Sequence, residues 1–389
     1  MIPYGRQNLS PEDIEAVSQA LLDDFITQGP RIASFEAALE GAVGARHAIA
    51  VNSATSALHL ACLALGVGEG DEVWTTAISF VASANAARYC GAEVDFVDIE
   101  PESFNISVSD LRRKLEERVV QKRATPKVLI VVHMAGQPCD MREIADLSVD
   151  FNFSVIEDAS HALGSQYGGK PTGGCEFSDI TVFSFHAVKM ITTGEGGACV
   201  TNNAEYAAKI QRLRSHGITR APKEMSSEYP GAWYYEQIEL GFNYRITDFQ
   251  AALGESQLSK LNDFVKKRND IAKWYGSNLT ELGISLPVVS PGRTSSFHLY
   301  IVRLSDEAAR KSTFERMRSQ GILVNMHYLP IYRHPYYANF GKYSISDYPN
   351  AELHNKTSLS LPIFSQLSVE ELETTKKAIV GRSGFQNIF

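Results

Sequence analysis

Short apolar runs alternate with amphipathic segments along most of this chain. The runs consist mostly of apolar and β-branched residues, which is typical of strands buried on both faces of a sheet. Between them, apolar residues recur at helical spacing, as Phe35, Leu39 and Val43 do. The runs lie at residues 48–51, 72–76, 94–98, 128–132 and 180–183. Because strands and helices alternate from about residue 30 to about residue 250, the sequence predicts an α/β fold with a largely parallel sheet.

The pattern changes in the last third of the chain. Residues 258–279 form one long amphipathic stretch, which indicates a helix that connects two domains. A strand over residues 296–302 and a helix over residues 308–320 predict a smaller α+β domain. We therefore expect a large domain over residues 1–255, N-terminal segment included, and a linker helix with a small domain over residues 256–389.

Composition and charge narrow the class of protein. Of the 389 residues, 44% are hydrophobic and 21% charged, as in ordinary globular proteins, and the net charge of −8 argues against a nucleic-acid partner. The five cysteines are scattered without C-x-x-C pairs, which predicts a reducing compartment and no metal site. The first residues lack the apolar core of a signal peptide, and no segment is long enough for a membrane span. We expect a cytoplasmic protein without a membrane partner.

One lysine, Lys189, lies between two apolar runs. Residues 180–183 precede it, and residues 196–201 follow it after a glycine-rich turn. Burial disfavours the charged form of a lysine and lowers its pKa, which would make Lys189 a nucleophile for a carbonyl carbon. The alternative is a loop lysine whose ammonium group reaches water.

Three further features have both a structural and a chemical interpretation. The turn Asn52-Ser53-Ala54-Thr55-Ser56 precedes a predicted helix, whose free N–H groups could bind a phosphate, although Ser53 or Thr55 could simply cap the helix. Asp158 ends a predicted strand, where α/β sheets place ligand sites, although it could equally cap the next segment. Phe80 lies at the start of another predicted helix.

Together, the four features match the needs of pyridoxal phosphate. A lysine holds this cofactor as a Schiff base, an acid pairs with its pyridinium nitrogen, an aromatic ring stacks on it, and an N–H-rich turn binds its phosphate. Lys189, Asp158, Phe80 and the turn at Ala54 and Thr55 would fill these places. The sequence therefore predicts an enzyme that uses pyridoxal phosphate.

Longer motifs, in a consistent order along the chain, point to a known family. The chain resembles the sugar aminotransferases of the DegT/DnrJ/EryC1/StrS family, which implies the fold of aspartate aminotransferase, fold type I. The motifs are Thr27-Gln28-Gly29-Pro30, Asn52-Ser53-Ala54-Thr55-Ser56-Ala57-Leu58, Glu157-Asp158-Ala159-Ser160-His161-Ala162, Ser184-Phe185-His186-Ala187-Val188-Lys189 and Gly241-Phe242-Asn243-Tyr244-Arg245. Members of the family often have a proline where this chain has Ala187 or Met190, a difference that we expect to leave the chemistry unchanged.

The resemblance implies roles for individual residues. Lys189 and Asp158 would be catalytic, with Asp158 facing the ring nitrogen. The cofactor site would also contain His161, Ala54, Thr55, Phe80, Ser184 and Asn243. The substrate site would contain Tyr4, Asp24, Phe25, Ile26, Thr27, Ala54, Ser184, Asn243, Asn325, Met326, His327 and Tyr328, with packing of the small domain as the alternative for the last two. Asn243 would come from the partner subunit of a homodimer with shared sites. Candidates for the diphosphate are Arg31, Arg220 and Arg245.

Within the family, His133-Met134-Ala135-Gly136-Gln137 and residues 324–332 resemble the branch that acts in pseudaminic acid synthesis. The implied reaction moves the amino group of L-glutamate to a UDP-linked 2-acetamido-2,6-dideoxy-4-ketohexose, for a sialic-acid-like sugar used in flagellin glycosylation. The alternatives are another 3- or 4-keto nucleotide sugar, or a non-catalytic regulator that binds the cofactor. Such a regulator would need a DNA-binding appendage, which the sequence does not predict. Lys189 argues against the family's dehydratases, which have histidine in its place.

Overall fold

The computed structural model describes residues 1–226 and 230–380. The helices are α1 (Pro11–Leu22), α2 (Pro30–Val43), α3 (Ala54–Ala64), α4 (Ala82–Tyr89), α5 (Val108–Val120), α6 (Met141–Phe151), α7 (Ala204–Leu213), α8 (Asp248–Leu258), α9 (Leu261–Leu279), α10 (Glu307–Ser319), α11 (Pro335–Ala338), α12 (Pro349–Thr357) and α13 (Val369–Val380). The strands are β1 (Ile2–Pro3), β2 (His47–Val51), β3 (Glu72–Thr76), β4 (Glu93–Val97), β5 (Val128–Val132), β6 (Ser154–Asp158), β7 (Gln166–Tyr167), β8 (Lys170–Pro171), β9 (Ile180–Ser184), β10 (Gly197–Thr201), β11 (Ile218–Thr219), β12 (Glu236–Gln237), β13 (Arg293–Thr294), β14 (Tyr300–Arg303), β15 (Ile322–Leu323) and β16 (Ser358–Leu361).

A seven-stranded sheet with the order β2-β10-β9-β6-β5-β3-β4 forms the centre of the fold. Strand β10 is antiparallel to β2 and β9, and the other neighbouring strands are parallel, which confirms the predicted α/β fold. In β5, Val128 and Ile130 pack in a cluster with residues of α3 and α4, whereas Leu129 and Val131 pack in a cluster with residues of α5 and α6. Burial on both faces explains why this run is apolar throughout.

Three predicted elements differ from the observed ones. The strand expected over residues 296–302 begins later, with β14, because Phe297 has a φ of 48°, a left-handed conformation that an extended strand cannot contain. The helix expected over residues 258–279 begins three residues later, as α9 at Leu261, because Lys260 has φ −103° and ψ 1° and so separates it from the end of α8 at Leu258. Phe80 lies in the loop just before α4 rather than inside the helix.

Helix α9 joins the C-terminal elements to the rest of the chain. Its Arg268 is buried and donates to the carbonyl oxygens of Phe297, His298 and Ile363. Burial lowers the pKa of the Arg268 guanidinium to about 10. Strand β1 pairs in parallel with β15, so the N-terminal segment packs against C-terminal elements. The division into domains between residues 255 and 256 stays a prediction, and residues 381–389 of its second part lie outside the described residues.

Within residues 1–226 and 230–380, no helix combines the length and the apolar character that a membrane crossing requires. In the same part of the chain, no three His, Cys, Asp or Glu side chains are grouped so that they could hold a metal ion. The five cysteines are free thiols.

Candidate active site

A cavity of about 530 Å³ opens at the edge of the sheet where β5, β6 and β9 end. Open α/β sheets bind their ligands at this edge. Most of the residues predicted for the site line the cavity: Tyr4, Ala54, Thr55, Phe80, Asp158, His161, Ser184, Lys189, Asn325, Met326, His327 and Tyr328. The fold therefore brings together residues from the first and the last part of the chain.

Lys189 lies in the turn that follows β9 and lines this cavity. The turn is fixed by two backbone hydrogen bonds of 2.9 Å, from Lys189 N to His186 O and from Thr193 N to Phe185 O. Burial lowers the pKa of the Lys189 amine to about 8, although the charge of Asp158 acts in the opposite direction. An amine with this pKa is uncharged often enough near neutral pH to attack a carbonyl carbon. The structure thus favours the nucleophile over the solvated loop lysine.

Asp158 ends β6, and both of its carboxylate oxygens are held. The Ser83 hydroxyl donates to Oδ2 at 2.7 Å, and the Ser160 N–H donates to Oδ1 at 3.2 Å. The backbone oxygen of Asp158 accepts the N–H of His133 at 3.1 Å. A buried carboxylate held in this way has a fixed direction, which a charge pair with a ring nitrogen requires.

The first turn of α3 forms another part of the wall. Ser53 caps the helix, because its Oγ accepts the Ser56 N–H at 3.1 Å. Ala54 and Thr55 nevertheless line the cavity, and first-turn N–H groups have no partner inside their own helix. The helix approaches the sheet this closely because Gly197 on β10 has no side chain. The turn therefore both caps the helix and provides an anion site.

Histidine and aromatic side chains complete the wall. The Tyr328 hydroxyl lies 3.3 Å from His161 Nε2, and the ring centroids of Phe80 and Tyr328 are 6.1 Å apart. The ring of His298 lies against that of His161, with 4.4 Å between centroids. Burial lowers the pKa of His161, His298 and His327, so all three imidazoles are uncharged at neutral pH. The wall around the Lys189 amine therefore presents neutral rings.

Two groups of predicted site residues lie outside this cavity. Asp24, Phe25, Ile26 and Thr27 are exposed in the loop between α1 and α2, and Asn243 is exposed in the loop before α8. None of the five is among the described residues that form the wall in their own chain.

A second cavity, of about 840 Å³, lies next to these residues. Its wall includes Gln28 of the loop after α1 and Ser215, which forms an isolated bridge with Asn243. Two of the three candidates for the diphosphate, Arg220 and Arg245, line it as well. The third, Arg31, is paired with Asp23. Within one chain, the predicted residues therefore fall into two separate groups.

The sequence interpretation missed three residues that the structure brings to the site. Ser79 and His298 line the cavity, and Ser83 lies behind Asp158. The i, i+4 spacing of Ser79 and Ser83 next to Phe80 could have placed both hydroxyls on one side of a helix start. Nothing in the local pattern distinguishes His298, because its contact with His161 joins segments that are far apart in the chain.

The cavity fits pyridoxal phosphate. Lys189 supplies an amine of lowered pKa, Asp158 a fixed carboxylate, and the start of α3 an anion site. His161 Nδ1 is buried in the wall without a hydrogen-bond partner among the described residues, so a polar ligand can satisfy it. A lysine and a strand-end aspartate at the carboxyl edge of this sheet define the fold type I class of pyridoxal-phosphate enzymes.

The chain belongs to the DegT/DnrJ/EryC1/StrS aminotransferase family, whose model matches residues 7–380. It is 39% identical over 383 residues to the UDP-4-amino-4,6-dideoxy-N-acetyl-beta-L-altrosamine transaminase of Campylobacter jejuni, which covers 97% of this chain and 96% of that protein. Helicobacter pylori PseC, an aminotransferase involved in the biosynthesis of pseudoaminic acid, has a TM-score of 0.88 at 32% identity over 97% of this chain and 98% of PseC. Spr1654 of Streptococcus pneumoniae, in its PMP form, has a TM-score of 0.88 at 29% identity with the same coverage.

These similarities confirm the predicted family, the aspartate-aminotransferase-like fold and pyridoxal phosphate as the cofactor. The protein is a pyridoxal-phosphate-dependent sugar aminotransferase. This confirms the prediction of an enzyme and argues against the alternative of a non-catalytic regulator.

Proposed function

We propose that this enzyme moves the amino group of L-glutamate to the 4-keto carbon of a UDP-linked 2-acetamido-2,6-dideoxyhexose, in the synthesis of pseudaminic acid. The names of the C. jejuni and H. pylori relatives support this substrate class, because both proteins match this chain almost end to end. The observation that carries the chemistry is the Lys189 amine, with a pKa of about 8, in one cavity with Asp158 and the start of α3. A cytoplasmic location and flagellin as the acceptor of the finished sugar stay predictions.

Lys189 moves the proton in both half-reactions. Pyridoxal phosphate, when bound, supplies an electron sink for the carbon that loses its proton. Lys189 Nζ takes the proton from the α-carbon of L-glutamate, and it later delivers a proton to C4 of the sugar. A pKa of about 8 allows one amine to accept and to release a proton near neutral pH. Asp158 contributes the negative charge that favours a proton on the ring nitrogen.

The other cavity residues bind and orient. The N–H groups of Ala54 and Thr55 and the hydroxyl of Ser184 would hold the phosphate at the start of α3. Phe80 would stack on the ring, and neutral His161 would lie beside it. For the sugar, the proposed pocket is formed by Tyr4, Asn325, Met326, His327 and Tyr328, which line the same cavity.

A homodimer with shared sites is part of the proposal. Asn243 and residues 24–27 are exposed and lie outside the cavity of their own chain, as residues donated to a second copy would. Phe25 is itself a large exposed apolar side chain, and Leu22 and Leu240, close to these residues in sequence, are exposed as well. A second copy of the chain would cover this apolar surface.

The substrate is tested by incubating the holoenzyme with L-glutamate and a panel of 3-keto and 4-keto nucleotide sugars. We expect amination of the UDP-linked 4-keto sugar at C4, with the product configuration determined by NMR. Preferential amination of another nucleotide sugar, or amination at C3, would contradict the proposed substrate while leaving the aminotransferase activity intact.

The role of Lys189 is tested with Lys189→Ala. This variant should lose both turnover and the covalent attachment of the cofactor after borohydride reduction, measured by mass spectrometry of the intact protein. Lys170→Ala is the matched control, because the Lys170 side chain is exposed and pairs with Glu176 at the surface. Turnover by Lys189→Ala would refute the assignment.

Shared sites are tested by mixing two inactive variants. Lys189→Ala and Asn243→Ala, each inactive alone, should regain activity after subunit exchange, since one of the two sites in each mixed dimer is then intact. Equal mixing predicts recovery of about a quarter of the wild-type rate for a closed dimer. No recovery in a sample that native mass spectrometry shows to contain mixed dimers would exclude a shared site at Asn243.

A further inference from the structure

Two serine hydroxyls stand in a row behind the carboxylate of Asp158. The Ser83 hydroxyl, on α4, lies 2.7 Å from Asp158 Oδ2, and the Ser79 hydroxyl lies 2.8 Å from that of Ser83. Ser83 is fully buried and Ser79 nearly so. The row therefore reaches from the cavity wall, which Ser79 lines, to the side of the carboxylate that faces α4.

The direction of the hydroxyl protons follows from the chemistry of the three groups. An ionised carboxylate only accepts hydrogen bonds, and a serine has a single hydroxyl proton. Ser83 therefore donates to Asp158, and Ser79 donates to Ser83. The carbonyl oxygen of Phe80 lies 3.4 Å from Ser83 Oγ, but the charged acceptor is closer and forms the stronger bond. Both hydroxyl dipoles point towards the carboxylate.

This arrangement fixes the orientation of the Asp158 carboxylate. Ser83 occupies Oδ2 and the Ser160 N–H occupies Oδ1, so rotation of the carboxylate would break two hydrogen bonds. Each carboxylate oxygen still has lone pairs available for a ligand, because Asp158 lines the cavity.

We propose that Ser83, supported by Ser79, is a positioning residue of this enzyme, which holds the Asp158 carboxylate directed at the ring nitrogen of bound pyridoxal phosphate. The proposal rests on the role proposed above for Asp158. Serine hydroxyls inside helices commonly bond to the backbone of their own helix. Ser83 instead bonds to a side chain on β6, which links α4 to the catalytic strand.

The first test removes the hydroxyl. Ser83→Ala should raise the dissociation constant of pyridoxal phosphate for the apoenzyme about tenfold and lower kcat about tenfold, with KM for both substrates nearly unchanged. Ser83→Thr keeps the donor and should retain wild-type values. Ser165→Ala is the matched control: Ser165 is equally buried, but its hydroxyl bonds to Ala162 O and Thr172. Ser79→Ala should shift both constants in the same direction by a smaller factor, which tests the row even if Ser83→Ala fails to fold.

The second test separates positioning from general stability. If Ser83 acts through Asp158, the double variant Ser83→Ala/Asp158→Asn should bind the cofactor no more weakly than Asp158→Asn alone. Additive losses, or a Ser83→Ala variant that behaves like Ser165→Ala, would overturn the proposal. Wild-type binding and turnover in Asp158→Asn would instead show that the role of Asp158 itself is wrong.

Discussion

Gly197 on β10 lies against the first residue of α3: a Cβ atom on Gly197 would be 2.5 Å from Ala54 N and 2.6 Å from Ser53 C. Real Cβ atoms do not approach backbone atoms this closely, so any other residue would push the helix start away from the sheet. The proposed phosphate site lies at this helix start. The geometry of this site therefore depends on the absence of a side chain at Gly197, in the strand that follows the Lys189 turn.

Gly197→Ala should weaken cofactor binding. We expect the dissociation constant of pyridoxal phosphate for the apoenzyme to rise about tenfold, because the first-turn N–H groups are displaced from the phosphate. Fluorescence titration of the apoenzyme measures this constant. Gly68→Ala is the control, since nothing lies within 4 Å of a Cβ at Gly68. Equal constants for the two variants would show that the close approach is irrelevant to the phosphate.

The reactivity of Lys189 in the apoenzyme should depend on pH with a midpoint near 8. Burial lowers the pKa of this amine to about 8, so its reactive, uncharged form becomes dominant above that pH. Modification by trinitrobenzenesulfonate, followed by mass spectrometry of the peptide with Lys189, gives the profile. Free Nα-acetyl-lysine, with an amine pKa of about 10.4, serves as the reference. A profile for Lys189 that coincides with the reference would show that its amine is solvated.

Tyr328→Phe should lower kcat/KM about tenfold without unfolding the protein. The change removes the hydroxyl that lies 3.3 Å from His161 Nε2 and so leaves this buried imidazole free to turn. Tyr332→Phe is the matched control. It removes a buried tyrosine hydroxyl that bonds to Glu352, and Tyr332 does not line the site cavity. Steady-state kinetics of both variants decide the question: comparable losses would mean that the contact with His161 has no special role.

Glu157→Ala should lower the free energy of unfolding by about 3 kcal/mol. The buried Glu157 carboxylate accepts hydrogen bonds from His133 Nε2, Ser178 Oγ and Thr181 Oγ1, and all three would lose their acceptor. Glu176→Ala removes only an exposed pair with Lys170 and should change stability by less than about 0.5 kcal/mol. Urea unfolding of the apoenzyme gives both values.

The same carboxyl group predicts the sign of the pH dependence. Burial would raise the pKa of Glu157, but the hydrogen bonds from its partners outweigh burial and lower the pKa below its ordinary 4.5. The stabilisation is therefore complete above pH 4.5 and is lost as the pH falls through the lower pKa of the folded protein. The difference between wild type and Glu157→Ala should shrink in acid. A difference that grows as the pH falls would contradict this sign.

Much of the fold could be predicted from the sequence. The run at 128–132 is apolar at every position because β5 is buried on both faces, so its pattern alone predicts a central strand. The start of the strand predicted at 296–302 could not be placed in this way. It depends on the left-handed conformation of Phe297, which a hydrophobic pattern does not encode.

For the site, the sequence by itself determined which residues we propose to carry the chemistry. Lys189 and Asp158 stand in motifs whose residue types already indicate a cofactor with an aldehyde and a ring nitrogen, and the family follows from the order of those motifs. Only the tertiary structure decided what surrounds them. The contacts of Ser83 with Asp158, His298 with His161, and Gly197 with Ala54 each join segments far apart in the chain. Local periodicity reports how each segment is buried, whereas such contacts exist only after the segments have packed together.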